Sequence, residues 1–147
     1  MIWELTAAFF GTIAFSIIFH VPKKFYPYCG LIGAVGWAVY YLLRDPIGVV
    51  MGTLCATIAI VILSRIFAVR KECPVTIFLI SGIFSLVPGA GVYWTAYYLV
   101  VNETGLAGVK GMETLKVALA IVLGIVLVFE LPQKLFRIGA RKKKETH

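Results

Sequence analysis

Side chains able to do chemistry are few in this chain, and their spacing excludes most reactions. The two histidines, His20 and His147, have no metal-ligating partner three or four residues away, so no metal site is expected. Cys29, Cys55 and Cys73 form no CxxC pair, and two of them lie in or beside apolar runs, as small packing residues do. Ser64, Ser81 and Ser85 have no neighbouring base to activate them. No GxSxG or HExxH motif occurs, and no pair of carboxylates is embedded in an apolar run. The expectation is no catalytic residue, no metal, no cofactor and no enzyme. Asn102-Glu103-Thr104 matches a glycosylation sequon, a pattern too short to build on.

The remaining chemical opportunity lies in the backbone. Pro88-Gly89-Ala90-Gly91 falls at the midpoint of an apolar run from 75 to 101, which is too long for one straight membrane crossing. Proline removes a donor and clashes with the preceding turn, while the glycines permit non-helical dihedrals. The run therefore reads as two half-helices, about 75–87 and 92–101. A half-helix starting at that depth would aim free N–H groups and partial positive charge inward, suited to an anion or carboxylate. Ser85, Pro88, Gly89, Ala90, Gly91 and Tyr93 are the candidate substrate-lining residues. Two readings of the break stand side by side: a packing kink, common in membrane helices, or a substrate-contacting interruption of the transporter type.

The elements that must position this segment follow from composition. Of 147 residues, 61% are hydrophobic and 14% charged, against about a quarter charged in soluble domains. That is too much apolar surface for a soluble globule of this size, and the opposite of a disordered chain. The expected class is an all-α integral membrane protein. Apolar blocks at 3–19, 28–43, 47–64, 75–101 and 115–131 predict five transmembrane helices in one domain over 1–133. A basic tail over 134–147 follows. Glu4, Lys116 and Glu130 fall within four residues of block ends, where they reach the interface. Helices are required because lipid offers the backbone no partners.

The net charge of +7 becomes a topology. Placing loops on alternate sides puts eleven Lys/Arg, from Lys23 and Lys24 through Arg65, Arg70 and Lys71 to the tail, on one face. Only Arg44, Lys110 and Lys116 fall on the other. The positive-inside rule then sets the N-terminus outside and the C-terminus in the cytoplasm. No basic helix face or base-stacking motif suggests nucleic acid. The tail RKKKETH reads as a topology anchor, with anionic lipid as the alternative. The N-terminus lacks a basic n-region, so no cleaved signal peptide is expected. Aromatics near block ends, among them Trp3, Tyr40, Tyr41, Trp94 and Tyr97, fit interfacial belts. Small residues at four-residue spacing predict helix-packing faces: Gly30, Ala34 and Ala38; Gly48, Gly52 and Ala56; Ser81, Ser85 and Gly89.

The stretch Ser85-Leu-Val-Pro-Gly-Ala-Gly-Val-Tyr93, with Pro74 ahead of it, resembles the LVPG-S/A-G-x-Y segment of the threonine/serine exporter family. The Val21-Pro22 turn and Gly30-Leu-Ile-Gly33-Ala-Val-Gly36-Trp37 are similar to that family as well. Over nearly its whole length the chain resembles the small membrane subunit, equivalent to the C-terminal membrane half of single-chain exporters. The resemblance implies export of threonine and serine, or of succinate, from the plasma (inner) membrane. It implies a larger partner with a cytoplasmic N-terminal region and about five spans of its own, inverted relative to this chain. Five spans are few for a plan of two inverted halves, so the chain's length points the same way. The proton gradient is the implied driving force, although no embedded carboxylate is evident. Two alternatives remain: a structural subunit that binds no substrate, or a self-sufficient homo-oligomeric channel or small efflux protein.

Overall fold

The computed structural model describes residues 1–137, which fold into helices joined by short turns. They are α1 (Ile2–Ile18), a 3-10 turn (Lys23–Phe25), α2 (Tyr26–Ile47), α3 (Val49–Lys71), α4 (Val75–Ile83), α5 (Gly89–Val100), α6 (Thr104–Phe129) and the short α7 (Lys134–Arg137). Among the described residues there is no strand. The run at 141–147 lies outside the described residues.

The turns follow local chemistry. α2 and α3 are separated by Gly48 alone, at φ +90°, whose N–H donates to the Arg44 carbonyl at 3.0 Å. A side chain would be strained there, so glycine terminates α2. α1, α3 and α5 each give way to a residue in the left-handed region: His20, Glu72 and Asn102.

Three expectations are corrected here. The loop predicted over 102–114 is helical from Thr104 on, because the stretch packs against α5 and buries Ala107. Arg65 stands inside α3 and is buried, not in a basic loop after it. Gly48 belongs to a turn with open space around it, not to a packed helix face. Gly89 is likewise exposed with nothing near a Cβ, whereas Gly30 and Gly52 lie against neighbouring backbone or side chains. A Cβ on Gly30 would meet the Phe9 ring of α1 at 2.8 Å, and one on Gly52 would meet the Arg44 backbone at 3.1 Å. Ser81 is fully buried in α4, while Ala34 is half-buried on α2.

The interior mixes hydroxyl side chains with large apolar ones such as Phe78, Ile32 and Ile60, and the exterior is large and apolar. Buried positions include Thr12, Ser16, Thr53, Thr57, Ser64 and Ser81. Each of these hydroxyls donates to the carbonyl four residues earlier, at 2.7–3.3 Å, so none is left unsatisfied by burial. Leu31, Leu42, Ile80, Leu119, Val122, Leu123 and Leu127 face outward. Water would expel such a surface; hydrocarbon accepts it, and small interior residues then let backbones approach. α3 and α6 are each long and apolar enough to cross a membrane, and α1 is a shorter apolar helix.

α3 is the central element, packed on α2, α4 and α6. Thr57 lies against Gly124, and Arg65 reaches Val128, so α3 and α6 run in the same direction. The chain must therefore travel back once between them. α4 and α5 together make that return, but on different neighbours: α4 packs on α1, α2 and α3, and α5 on α6.

Candidate functional site

The helix break is built from Phe84 to Pro88. Ser85 and Leu86 N–H groups turn back onto the Gly82 and Ile83 carbonyls at 3.4 and 2.8 Å, a tightened last turn of α4. α4 thus ends at Ile83, four residues before the predicted end of the first half-helix. Pro88 caps α5, and Gly89 N–H folds onto Val87 O at 2.7 Å. The break is anchored on both sides. Phe84 stacks on Phe15 of α1 at 4.6 Å between ring centroids, and Leu86 is buried.

Beyond the break, α5 descends along α6. A Cβ on Gly91 would meet Thr114 Cβ at 3.3 Å, and one on Gly111 would meet Thr95 Cγ2 at 3.2 Å. Thr95 and Thr114 hydroxyls are satisfied by Gly91 O and Lys110 O, both at 2.7 Å. Thr114 is near the middle of α6, so α5 begins halfway along its neighbour. No α5 residue is buried, and Tyr93, Trp94, Tyr97 and Tyr98 form a ladder of rings at 5.4–6.5 Å on its surface.

The predicted substrate residues are thereby separated. Ser85 lines a cleft of about 310 Å³, together with Glu4, Thr12 and Phe15 of α1 and Trp37 of α2. Pro88, Gly89, Ala90, Gly91 and Tyr93 do not line it. Gly89 and Ala90 are exposed, with nothing near a Cβ placed on Gly89. Gly91 is a packing contact with α6, and Tyr93 is 62% exposed within the ladder. Glu4, expected at the interface, lines the cleft as well. A signal was available: Glu4, Ala7, Ala8, Gly11, Thr12 and Phe15 recur at helical spacing, one small-residue face headed by a carboxylate.

The two ends of the bundle differ. A second, wider opening of about 890 Å³ separates the Gly48 turn from the first half of α6, with Met51, Gly108, Met112 and Lys116 on its walls. It shares the end of the molecule that carries the α1 N-terminus and Glu4. The opposite end is filled. Phe25 meets Phe78 at 5.3 Å, Tyr28 meets Phe67 at 5.3 Å, and Lys71 and Lys24 sit over Tyr28 and Phe25. There Arg65, 4% exposed, donates from Nη1 to the carbonyls of Val128 and, at 3.0 Å, Leu131. Its guanidinium lies 4.3 Å from the Phe136 ring. The cation adds a second donor to Val128 O, which also accepts from Leu131 N–H at 3.2 Å, and it complements the helix dipole at the end of α6.

An apolar exterior, two helices long and apolar enough to cross a membrane and a helix interrupted beside a cleft are what this all-helical fold presents. The sequence matches the family described as "Threonine/Serine exporter, ThrE" over residues 4–130, and the chain belongs to that family. The matched region contains the whole of the cleft and the break. It is a transporter family. No curated protein and no solved structure matches the chain.

Proposed function

We propose that this chain is the small membrane subunit of a secondary exporter for small amino acids or organic acids, acting with a larger partner in the plasma (inner) membrane. The observation that carries the reading is the interruption between α4 and α5 beside a cleft that takes Ser85 from the break itself. Irregular backbone at membrane depth is tolerated where it is buried or lines a cavity. The exposed start of α5 would offer backbone N–H groups to a substrate carboxylate. Five crossings, with α4 and α5 sharing the fourth, account for the parallel course of α3 and α6. Lys23, Lys24, Arg70 and Lys71 at the filled end support a cytoplasmic location for that end and an outside location for the open end. The partner would cover α5, which touches this chain through α6 and leaves its aromatic ladder bare.

Reconstitution in liposomes tests the reading. Export of threonine, serine or succinate should require both subunits, and transport by this chain alone would overturn the two-subunit assignment. Gly89 is the position for a site variant, because a side chain there meets nothing, whereas one on Gly91 strikes Thr114. Gly89→Leu should abolish transport and leave the complex assembled. Lost assembly would favour a purely structural subunit.

A further inference from the structure

At the filled end four cations stand on two neighbouring elements: Lys23 and Lys24 in the 3-10 turn, and Arg70 and Lys71 in the last turn of α3. Two of them converge. Lys24 Nζ lies 4.8 Å from the centre of the Phe25 ring, and Lys71 Nζ 4.7 Å from that of Tyr28. Both rings pack edge-on against Phe78, at 5.3 and 6.5 Å, so the two ammoniums rest on one aromatic cluster. Both also act on the α3–α4 turn. The Cys73 thiol there is pushed up by burial and drawn back by Lys24 and Lys71, and no carboxylate is among the charges that reach it. The ion pairs among the described residues, Arg44–Asp45 and Lys110–Glu113, belong to the open end. Lys24 and Lys71 are exposed and have no counter-ion among the described residues.

An apolar track starts at the same end. α4 begins at Val75, four residues after Lys71, and its Thr76 and Ile80 are exposed at four-residue spacing, with Phe84 next in line beyond its last turn. The Phe84 ring lies 5.2 Å from Phe19 at the end of α1. Phe19, Ile80 and Phe84 are each 38–44% exposed. We propose that Lys24 and Lys71 form a headgroup site for an anionic phospholipid whose acyl chain lies along Ile80, Phe84 and Phe19. A phosphodiester offers negative charge and acceptor oxygens, which suits two ammonium groups that carry donors alone. The lysine stems rest on the rings while the charges stay at headgroup level. Position at a membrane edge would by itself make both residues topology anchors. The shared aromatic seat and the apolar track are what a bound lipid uses in addition, and free phosphate has no use for the track. The proposal requires α3 to end at a membrane surface and is independent of what the protein exports.

Native mass spectrometry of the full chain in neutral detergent, titrated with phosphatidylglycerol or phosphatidylcholine of equal chain length, counts bound lipid directly. One phosphatidylglycerol should be retained in preference to phosphatidylcholine. A basic residue near an anionic surface is worth roughly five-fold in affinity. Lys24→Gln with Lys71→Gln should therefore weaken phosphatidylglycerol binding roughly 25-fold and leave phosphatidylcholine binding unchanged. Lys23→Gln with Arg70→Gln removes the same charge from the same two elements and should weaken it far less. Equal loss in the two pairs would reduce the lysines to diffuse attraction and overturn the proposal, as would equal binding of the two lipids. Glycerophosphoglycerol (the headgroup without chains) and inorganic phosphate, each in excess, should not displace the lipid. Displacement by either would give the site to a soluble anion instead. A melting temperature equal to the parent's in phosphatidylcholine shows that a variant is folded. If the double variant is not, Lys71→Gln alone carries the test, with a loss of roughly five-fold expected and unchanged binding overturning the proposal.

Discussion

Gly33→Ala offers the sharpest test of how α1 is held on α2. A Cβ built on Gly33 would lie 2.8 Å from Thr12 Cβ and closer still to Thr12 Oγ1. Thr12 cannot turn away to make room. Its Cβ is itself in the way, its Cγ2 stands at 3.1 Å, and its hydroxyl is tied to Ala8 O. Ordinary contact begins at 3.4–4 Å, so α1 must retreat by about 0.6–1.2 Å along this line. Overpacking of that kind costs roughly 1–3 kcal/mol. For a chain of this length that is a fall in melting temperature of roughly 3–12 °C. Gly108→Ala is the matched control, because a side chain there meets nothing, and it should be neutral or stabilising by up to about 1 kcal/mol.

Thermal unfolding in detergent measures both variants, and a double-mutant cycle identifies the cause. Thr12→Ala removes Oγ1 and Cγ2 and leaves Cβ, so it should rescue Gly33→Ala in part, with a coupling of about 0.5 kcal/mol or more. The same displacement has a functional reading. Gly33 lies one turn before Trp37, and Thr12 two turns after Glu4, so a retreat of α1 opens the Glu4–Trp37 bond at the cleft. Gly33→Ala as stable as Gly108→Ala, or strictly additive with Thr12→Ala, would refute the packing account.

At the filled end, Arg65→Met should strand the Leu131 carbonyl and leave Val128 O with the Leu131 N–H alone, cost roughly 1–3 kcal/mol, and raise hydrogen exchange in the last turn of α6 and in α7. Arg65→Lys should recover part of this, since an ammonium can replace the single Nη1 donor but not the guanidinium over the Phe136 ring. On α5, Trp94→Ala with Tyr97→Ala should leave the melting temperature of this chain within about 0.5 kcal/mol of the parent, as surface changes do. The same pair should sharply reduce co-purification of the partner subunit. Cys73 lies between α3 and α4, where burial pushes its thiol above the usual range and Lys24 opposes the shift. With Cys55→Ala and Cys29→Ser, its maleimide labelling should rise with pH and reach half its maximum above the value of a free cysteine, because the thiolate is the reacting form.

The parts of this fold legible in the sequence are those written in composition and punctuation. Apolar blocks and Pro88-Gly89-Ala90-Gly91 point to the helices and the break, because lipid leaves the backbone few options and proline beside two glycines in a helix interior interrupts it; Pro27 and Pro46, at the ends of α2, do not. Charge hid other features. Lys110 and Glu113 made 102–114 read as a loop, yet a helix there buries Ala107 against α5 and leaves both charges paired on its surface at 3.2 Å. Arg65 looked like one more basic residue after an apolar block. Its value depends on Val128 and Leu131, more than sixty residues away, a pairing no local window can contain.

The candidate site divides along the same line. Ser85 and the α5 start were found from the residues that interrupt a helix, whereas the cleft depends on which face of α1 turns towards them. Phe84 on Phe15 and Leu86 in the core fix that face, and these contacts bring a carboxylate from the first turn of the chain to the break. The charge that the fold buries is Arg65 within α3, whereas Glu4 stays exposed at the rim of the cleft.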